Sequence, residues 1–169
     1  ILLKAGTGVG KTVILPKIAL HAFDYKGKVV CTIPKKLIAK SSAEFSAKTL
    51  DVKIGEEVGY FYAGENKTSS KSKLIFATPG SIISKLTHSD PYLSEYDCIL
   101  IDEAHERSLQ TDLILLLLKK AALVNRNLKI VIMSATINLD LFRNYFPKSQ
   151  FKFGEFDAGE KTLFKIEDY

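Results

Sequence analysis

The chain has 169 residues, 46% of them hydrophobic and 25% charged, a balance that suits one globular domain with a buried core and excludes an intrinsically disordered chain. Its formal net charge of +5 rests on 24 basic residues, of which only Arg107, Arg126 and Arg143 are arginine, so lysine carries the positive field. That excess suits a polyanionic partner and equally a lysine-rich solvated surface, while the longest apolar run, 113–118, is too short to span a membrane.

Short runs rich in Val and Ile alternate with longer helical patterns, the order expected of βα units around a mostly parallel sheet. The first strand is predicted over 1–4 and runs into Ala5-Gly6-Thr7-Gly8-Val9-Gly10-Lys11-Thr12. Apolar residues at three- and four-residue spacing then predict a helix over 11–23. A glycine-rich turn between strand and helix lets successive backbone N–H groups converge on a phosphate, and the helix start adds a positive dipole end. In that setting Gly6, Thr7, Gly8, Val9 and Gly10 form the cradle, Lys11 reaches the β- and γ-phosphates of an NTP, and Thr12 holds Mg²⁺ through its hydroxyl. Ala5 stands where the usual eight-residue pattern opens on glycine. Pro16 falls early in this helix and is expected to kink it or to cap its first turns. No signal peptide is seen before the loop, and the chain reads as an excised domain.

A second strand, over 28–32, leads through Thr32-Ile33-Pro34-Lys35-Lys36 into a helix over 34–49. Lys35, Lys36 and Ser41 lie near its start, where lysines and free backbone amides can both meet phosphate oxygens; the alternative is a merely solvated helix end. After a strand over 58–61, the polar stretch 63–72, with Gly64, Asn66 and three serines, reads as an exposed loop. The strand 73–77 precedes Thr78-Pro79-Gly80 and a helix over 80–86, so Thr78 and Gly80 set a second helix start on the same edge as the first. Two such starts make a track for the backbone of a single strand.

The apolar strand predicted over 96–102 ends in Asp102-Glu103-Ala104-His105, which places two carboxylates at the carboxyl edge of the sheet. Adjacent acids there can divide the work. Asp102 serves Mg²⁺, directly or through water, and Glu103 orients and polarises the attacking water. A helix over 111–124, a strand over 129–134 and a helix over 139–145 follow, with weaker strands over 150–153 and 162–166. Cys31 and Cys98 each sit inside an apolar strand with no further cysteine in metal-ligand spacing, so both are read as core thiols.

Gly-Thr-Gly-Val-Gly-Lys-Thr at 6–12, Asp-Glu-Ala-His-Glu-Arg-Ser at 102–108 and Ser-Ala-Thr at 134–136 resemble motifs I, II and III of superfamily 2 helicases, in the combination of the DEAH/RHA group. The segment 32–36 is similar to motif Ia, with lysines where the group usually has arginines, and 77–80 stands in the place of motif Ib, normally Thr-Asp-Gly. Val58-Gly59-Tyr60 also matches a segment of that group, so the resemblance spans essentially the whole chain. The loop and 161–166 further resemble the poxviral nucleoside triphosphate phosphohydrolase II branch, whereas Glu106-Arg107-Ser108 looks more like cellular members.

The resemblance implies an α/β fold, a RecA-like P-loop NTPase domain with a mostly parallel sheet and helices on both faces, over 1–169. A second RecA-like domain would lie elsewhere in the parent chain, with 162–169 at the edge of the link. It implies Mg²⁺ with ATP or another NTP, and single-stranded RNA, or DNA, held by Thr32, Pro34, Lys35, Lys36, Thr78 and Gly80. His105, Ser134 and Thr136 would couple the γ-phosphate side of the site to the second domain, the two hydroxyls by hydrogen-bonding motif II. The activity implied is 3′-to-5′ RNA unwinding, intracellular, with the compartment open between nuclear, cytoplasmic and virus-associated. A DNA translocase of the same superfamily and a non-motor P-loop switch are the rival readings.

Overall fold

A computed structural model of the chain describes residues 1–6, 10–136 and 139–158. Among these the chain order is β1 (Leu2–Lys4), α1 (Lys11–Ala22), β2 (Val29–Thr32), α2 (Lys36–Thr49), β3 (Val58–Tyr62), β4 (Glu65–Lys67), β5 (Leu74–Ala77) and α3 (Pro79–His88). Then come β6 (Cys98–Ile101), a 3₁₀ turn (Ala104–Glu106), α4 (Leu109–Val124), β7 (Lys129–Ser134), α5 (Leu139–Tyr145) and β8 (Glu155–Asp157). The described strands form one 8-stranded sheet in the order β4-β3-β5-β2-β6-β7-β1-β8. Every pairing is parallel except that of β3 with β4.

Alternation along the central strands splits the core in two. Val30, Ile75, Ala77, Ile99 and Ile101 face one side and pack with Ile82 and Leu86 of α3, Ile114 and Leu118 of α4, and Phe142 of α5. Val29, Cys31, Leu74, Phe76, Cys98 and Leu100 face the other and pack with Leu20 of α1 and with Ala39, Ala43 and Ala47 of α2. Successive strand side chains point to opposite faces, so runs apolar at every position demand helices on both. Each fully buried Leu or Ile contributes about 1.5–3 kcal/mol relative to leaving it in water. Both cysteines are buried free thiols, as expected of core residues, and burial raises Cys31 and pushes Cys98 up to about 12.

Three features depart from expectation. The stretch 63–72 is not all loop, since Glu65–Lys67 turns back at Gly64, in the left-handed region with φ +101, and pairs antiparallel with β3. The stretch 150–153 forms no strand. Phe151 and Phe153 are apolar because they pack against the core below the sheet, and the strand that pairs with β1 is the exposed Glu155–Asp157. Pro16 is buried inside α1, past its first turn, so it does not cap the helix start. The strand expected over 162–166 lies outside the described residues.

Candidate nucleotide site and nucleic-acid groove

The carboxyl ends of β1, β6 and β7 meet at one edge, because β7 lies between the other two, with Lys4 in register with Ser134 and Ile101 with Ile132. The Ala5 N–H donates to the Ser134 carbonyl at 3.0 Å, and the Asp102 N–H donates to the Thr32 carbonyl at 3.1 Å, which pins the residues after β1 and β6 to neighbouring strands. Gly6 follows at this edge; Thr7, Gly8 and Val9 lie outside the described residues.

Gly10, with φ 75, is the N-cap of α1, a left-handed conformation that glycine adopts without steric cost. Lys11 is the first helical residue, only 5% exposed, and the first turn of α1 holds no acidic residue. A buried cation at the positive end of a helix is held by Glu103, whose Oε1 lies 3.2 Å from the Lys11 Nζ. The other Glu103 oxygen lies 3.3 Å from Nε2 of His105. One carboxylate thus gathers the loop lysine and the motif II histidine.

Thr12 donates its hydroxyl to Oδ2 of Asp102 at 2.5 Å, and the Glu103 N–H donates to Oδ1 at 2.9 Å. Burial raises the Asp102 pKa, against the pull of those two hydrogen bonds. A divalent cation there would favour the ionised form. Thr12 and Asp102 make a sparse oxygen donor set, and no cluster of three or more His, Cys, Asp or Glu placed for a metal occurs among the described residues. That suits Mg²⁺, which takes one or two protein oxygens and completes its shell with phosphates and water. Glu103 reaches this place through a left-handed backbone, φ 53, at the cap of the 3₁₀ turn, and Arg107 leaves the turn in the same region, φ 48.

The coupling residues divide. Ser134 is fully buried, but its hydroxyl finds no hydrogen-bond partner, so the expected bond to motif II is not formed. Its strand holds the loop through the main chain instead. Nδ1 of His105 is likewise buried without a partner, and Thr136 is exposed.

Beside this site lies a groove of about 530 Å³ between the starts of α2 and α3. It brings together Pro34, Lys36, Thr78 and Gly80 of the expected track. Lys35, the N-cap of α2, is exposed beside the groove rather than in its lining. Thr32 is corrected: it ends a central strand between β5 and β6, is fully buried, and cannot offer its hydroxyl to a polymer in this conformation. Thr78 is the N-cap of α3, its hydroxyl 3.0 Å from that of Ser81, and Pro79 occupies the first turn, where its missing N–H costs nothing.

Sequence reasoning missed the far wall. Phe61, Tyr62 and Asn66 come from the β3–β4 hairpin, and Gln110 comes from the start of α4. The hairpin is clamped at Glu65, which accepts hydrogen bonds from Tyr60, Tyr62 and Lys40. The Tyr60 hydroxyl first, and then that of Tyr62, hold its carboxyl down at about 2. Lys36 donates to the Ala63 carbonyl at 2.9 Å and sits 5.6 Å from the Tyr62 ring centre, so the lysine of α2 also braces the turn. The turn glycine Gly64 and the run of aromatics Tyr60-Phe61-Tyr62 were the available signal.

Residues 1–143 match the family described as DEAD/DEAH box helicase. The chain is 47% identical over 146 residues to a putative ATP-dependent RNA helicase of Acanthamoeba polyphaga mimivirus, covering 84% of this chain and 21% of the relative. It is 44% identical over 147 residues to the ATP-dependent RNA helicase HrpA of Borreliella burgdorferi, covering 86% and 18%. A putative ATP-dependent RNA helicase of Schizosaccharomyces pombe is 35% identical over 175 residues, covering 100% and 13%. The chain therefore spans about a fifth or less of the length of these relatives. With the family matched over most of its length, and with the loop lysine and the acidic pair brought together at one sheet edge, this chain belongs to the DEAD/DEAH box helicase family.

Proposed function

We propose that the chain is the NTP-binding and hydrolysing RecA-like half of an ATP-dependent RNA helicase of the DEAH type. The observation that carries this reading is the convergence of Lys11, Thr12, Asp102 and Glu103 at one edge, next to a groove that spans two helix starts. Lys11 binds the β- and γ-phosphate oxygens once it exchanges Glu103 for them, and the free N–H groups of the α1 start add to its charge. Thr12 and Asp102 would hold Mg²⁺, which supplies charge neutralisation on the phosphate oxygens when bound. Glu103, released from Lys11, orients the attacking water in line with the γ-phosphorus. His105 stays on the opposite oxygen of Glu103 and, with Thr136, relays its position toward a second RecA-like domain of the parent chain.

RNA is the proposed polymer because the relatives are named RNA helicases; 3′-to-5′ movement and an intracellular setting rest on the DEAH resemblance. No described helix is long and apolar enough to cross a membrane. Pro34, Lys35, Lys36, Thr78 and Gly80 take the phosphate backbone, which makes binding independent of base sequence.

The test is ATP turnover by the full-length parent with and without single-stranded RNA or DNA. RNA-dependent stimulation is expected, and stimulation by DNA alone would replace this reading with that of a DNA translocase. Changing Lys35 and Lys36 together to Ala should weaken RNA binding on all sequences and lower the salt slope by about one for each phosphate no longer neutralised. An unaltered slope would leave both lysines as solvated surface.

A further inference from the structure

The lining of the groove is contributed almost wholly by the segment from Pro34 to Lys85; Gln110 is the exception. It is the second residue of α4, seven positions after Glu103, on the stretch of chain that leaves the acidic motif. Its side chain reaches the start of α3 over Gly80, where an added Cβ would lie 3.5 Å from its Nε2. The Gln110 amide thus stands in van der Waals range of the α3 start, in the lining of the groove.

The chain between Glu103 and Gln110 has little give. Glu103 and Arg107, neither of them glycine, are both left-handed and flank the 3₁₀ turn. Ser108 caps α4 by accepting from the Thr111 N–H at 3.1 Å. Arg107 grips Asp112 with two hydrogen bonds, at 2.8 and 3.1 Å, across that cap. The first turn of α4 is thus tied by hydrogen bonds to Arg107, the residue that leaves the 3₁₀ turn four positions after Glu103. At the other end of this stretch, Glu103 rests on Lys11, an arrangement that both holds the lysine from phosphate and holds the carboxylate from water.

We infer that Gln110 is a positioning residue through which a strand in the groove biases Glu103 away from Lys11, so that RNA raises the rate of hydrolysis. The inference rests on the groove being the RNA site. Its amide donates to a phosphate or ribose oxygen lying along the α3 start, and that hydrogen bond is made only with the strand bound. A ligand shifts an equilibrium only by the interactions it makes differently in the two states. Gln110 supplies the differential interaction, and Glu103 on or off Lys11 is the pair of states.

The experiment uses the full-length parent with ATP and poly-uridine RNA, and reads two quantities: the half-saturating RNA concentration, and the ratio of turnover at saturating RNA to turnover without it. Gln110→Met keeps the length and bulk of the side chain and removes the hydrogen bond. Gln110 is exposed, so the variant should match the parent's thermal unfolding. The ratio is expected to fall about tenfold while the half-saturating concentration moves by less than about threefold, the split expected of a residue that couples RNA to hydrolysis as opposed to one that supplies affinity. Lys36→Ala, measured alongside, is expected to raise the half-saturating concentration. A Gln110→Met protein that regains the parental ratio at saturating RNA overturns the inference and leaves the groove reading standing. Should Lys36→Ala leave RNA affinity as it was, the groove itself is misread and the inference falls with it.

Discussion

Glu103 is the residue on which the resting site turns, because its two oxygens are shared between Lys11 and His105. Lys11 and Glu103 therefore separate cleanly in what their removal does. Lys11→Ala takes away the loop's charge to the β- and γ-phosphates, and binding of Mg-ATP to the full-length parent, measured by calorimetry, should be lost. Glu103→Gln keeps the loop and the Thr12–Asp102 pair, so binding should persist while turnover falls by a factor on the order of 10² to 10⁴. Equal loss of binding in both variants would show the two roles to be wrongly divided. These residues were legible from sequence because a buried strand ending in two acids has few other uses. Gln110 was not, since an exposed glutamine at a helix start carries no periodicity and acquires meaning only from α3 lying against it. Thr32 was misplaced for the converse reason: a motif gives the position along the chain, not the direction of a side chain at the end of a central strand.

At the scale of elements, the β3–β4 hairpin is the part that pattern reading handled least well. Glu65-Asn66-Lys67 is polar at every position because β4 is an edge strand, and it is held by its partner instead of by an apolar face. Helix α5 and strand β7, by contrast, were placed at their observed bounds, since each has a face buried in the core. Gly59 marks how closely the two hairpin strands approach. A Cβ there would meet the Lys67 carbonyl oxygen at 2.4 Å, so Gly59→Ala must push β4 outward and should cost about 1–3 kcal/mol in urea unfolding. A variant as stable as the parent would mean the edge gives way freely. The Glu65 clamp adds an acid dependence. Its folded pKa, about 2, lies below the ordinary 4.5, so its contribution is present above 4.5 and lost as pH falls toward 2. Over that window stability should decline less steeply in Glu65→Gln than in the parent, as read from urea midpoints at successive pH values; parallel declines would count against the clamp.

For the molecule as a whole, the arginines decide what the chain can do alone. Arg107 is paired with Asp112, Arg143 with Asp140 and Glu155, and Arg126 donates to the Gln150 carbonyl, so none stands at the phosphate edge. Transition-state charge on the γ-phosphoryl group is commonly met by an arginine worth about 10³ to 10⁵ in rate, and here it would have to come from outside these 169 residues. The 169-residue chain should accordingly bind Mg-ATP weakly and turn it over hardly at all, whereas RNA-stimulated turnover at the rate of the full-length parent would show the domain to be self-sufficient. The placing of β1 has a different consequence, for the order in which the molecule is made. Leu2 pairs with Ile132 on one side and Glu155 on the other, so a strand that precedes all the other described strands finds both its neighbours only when the last ones have left the ribosome. Such long sequence separations are slow to close. Until then β2, β3, β5 and β6 can assemble with their helices, but the loop that follows β1 has no fixed edge to stand on. Nucleotide can therefore stabilise the finished domain and cannot rescue a nascent one.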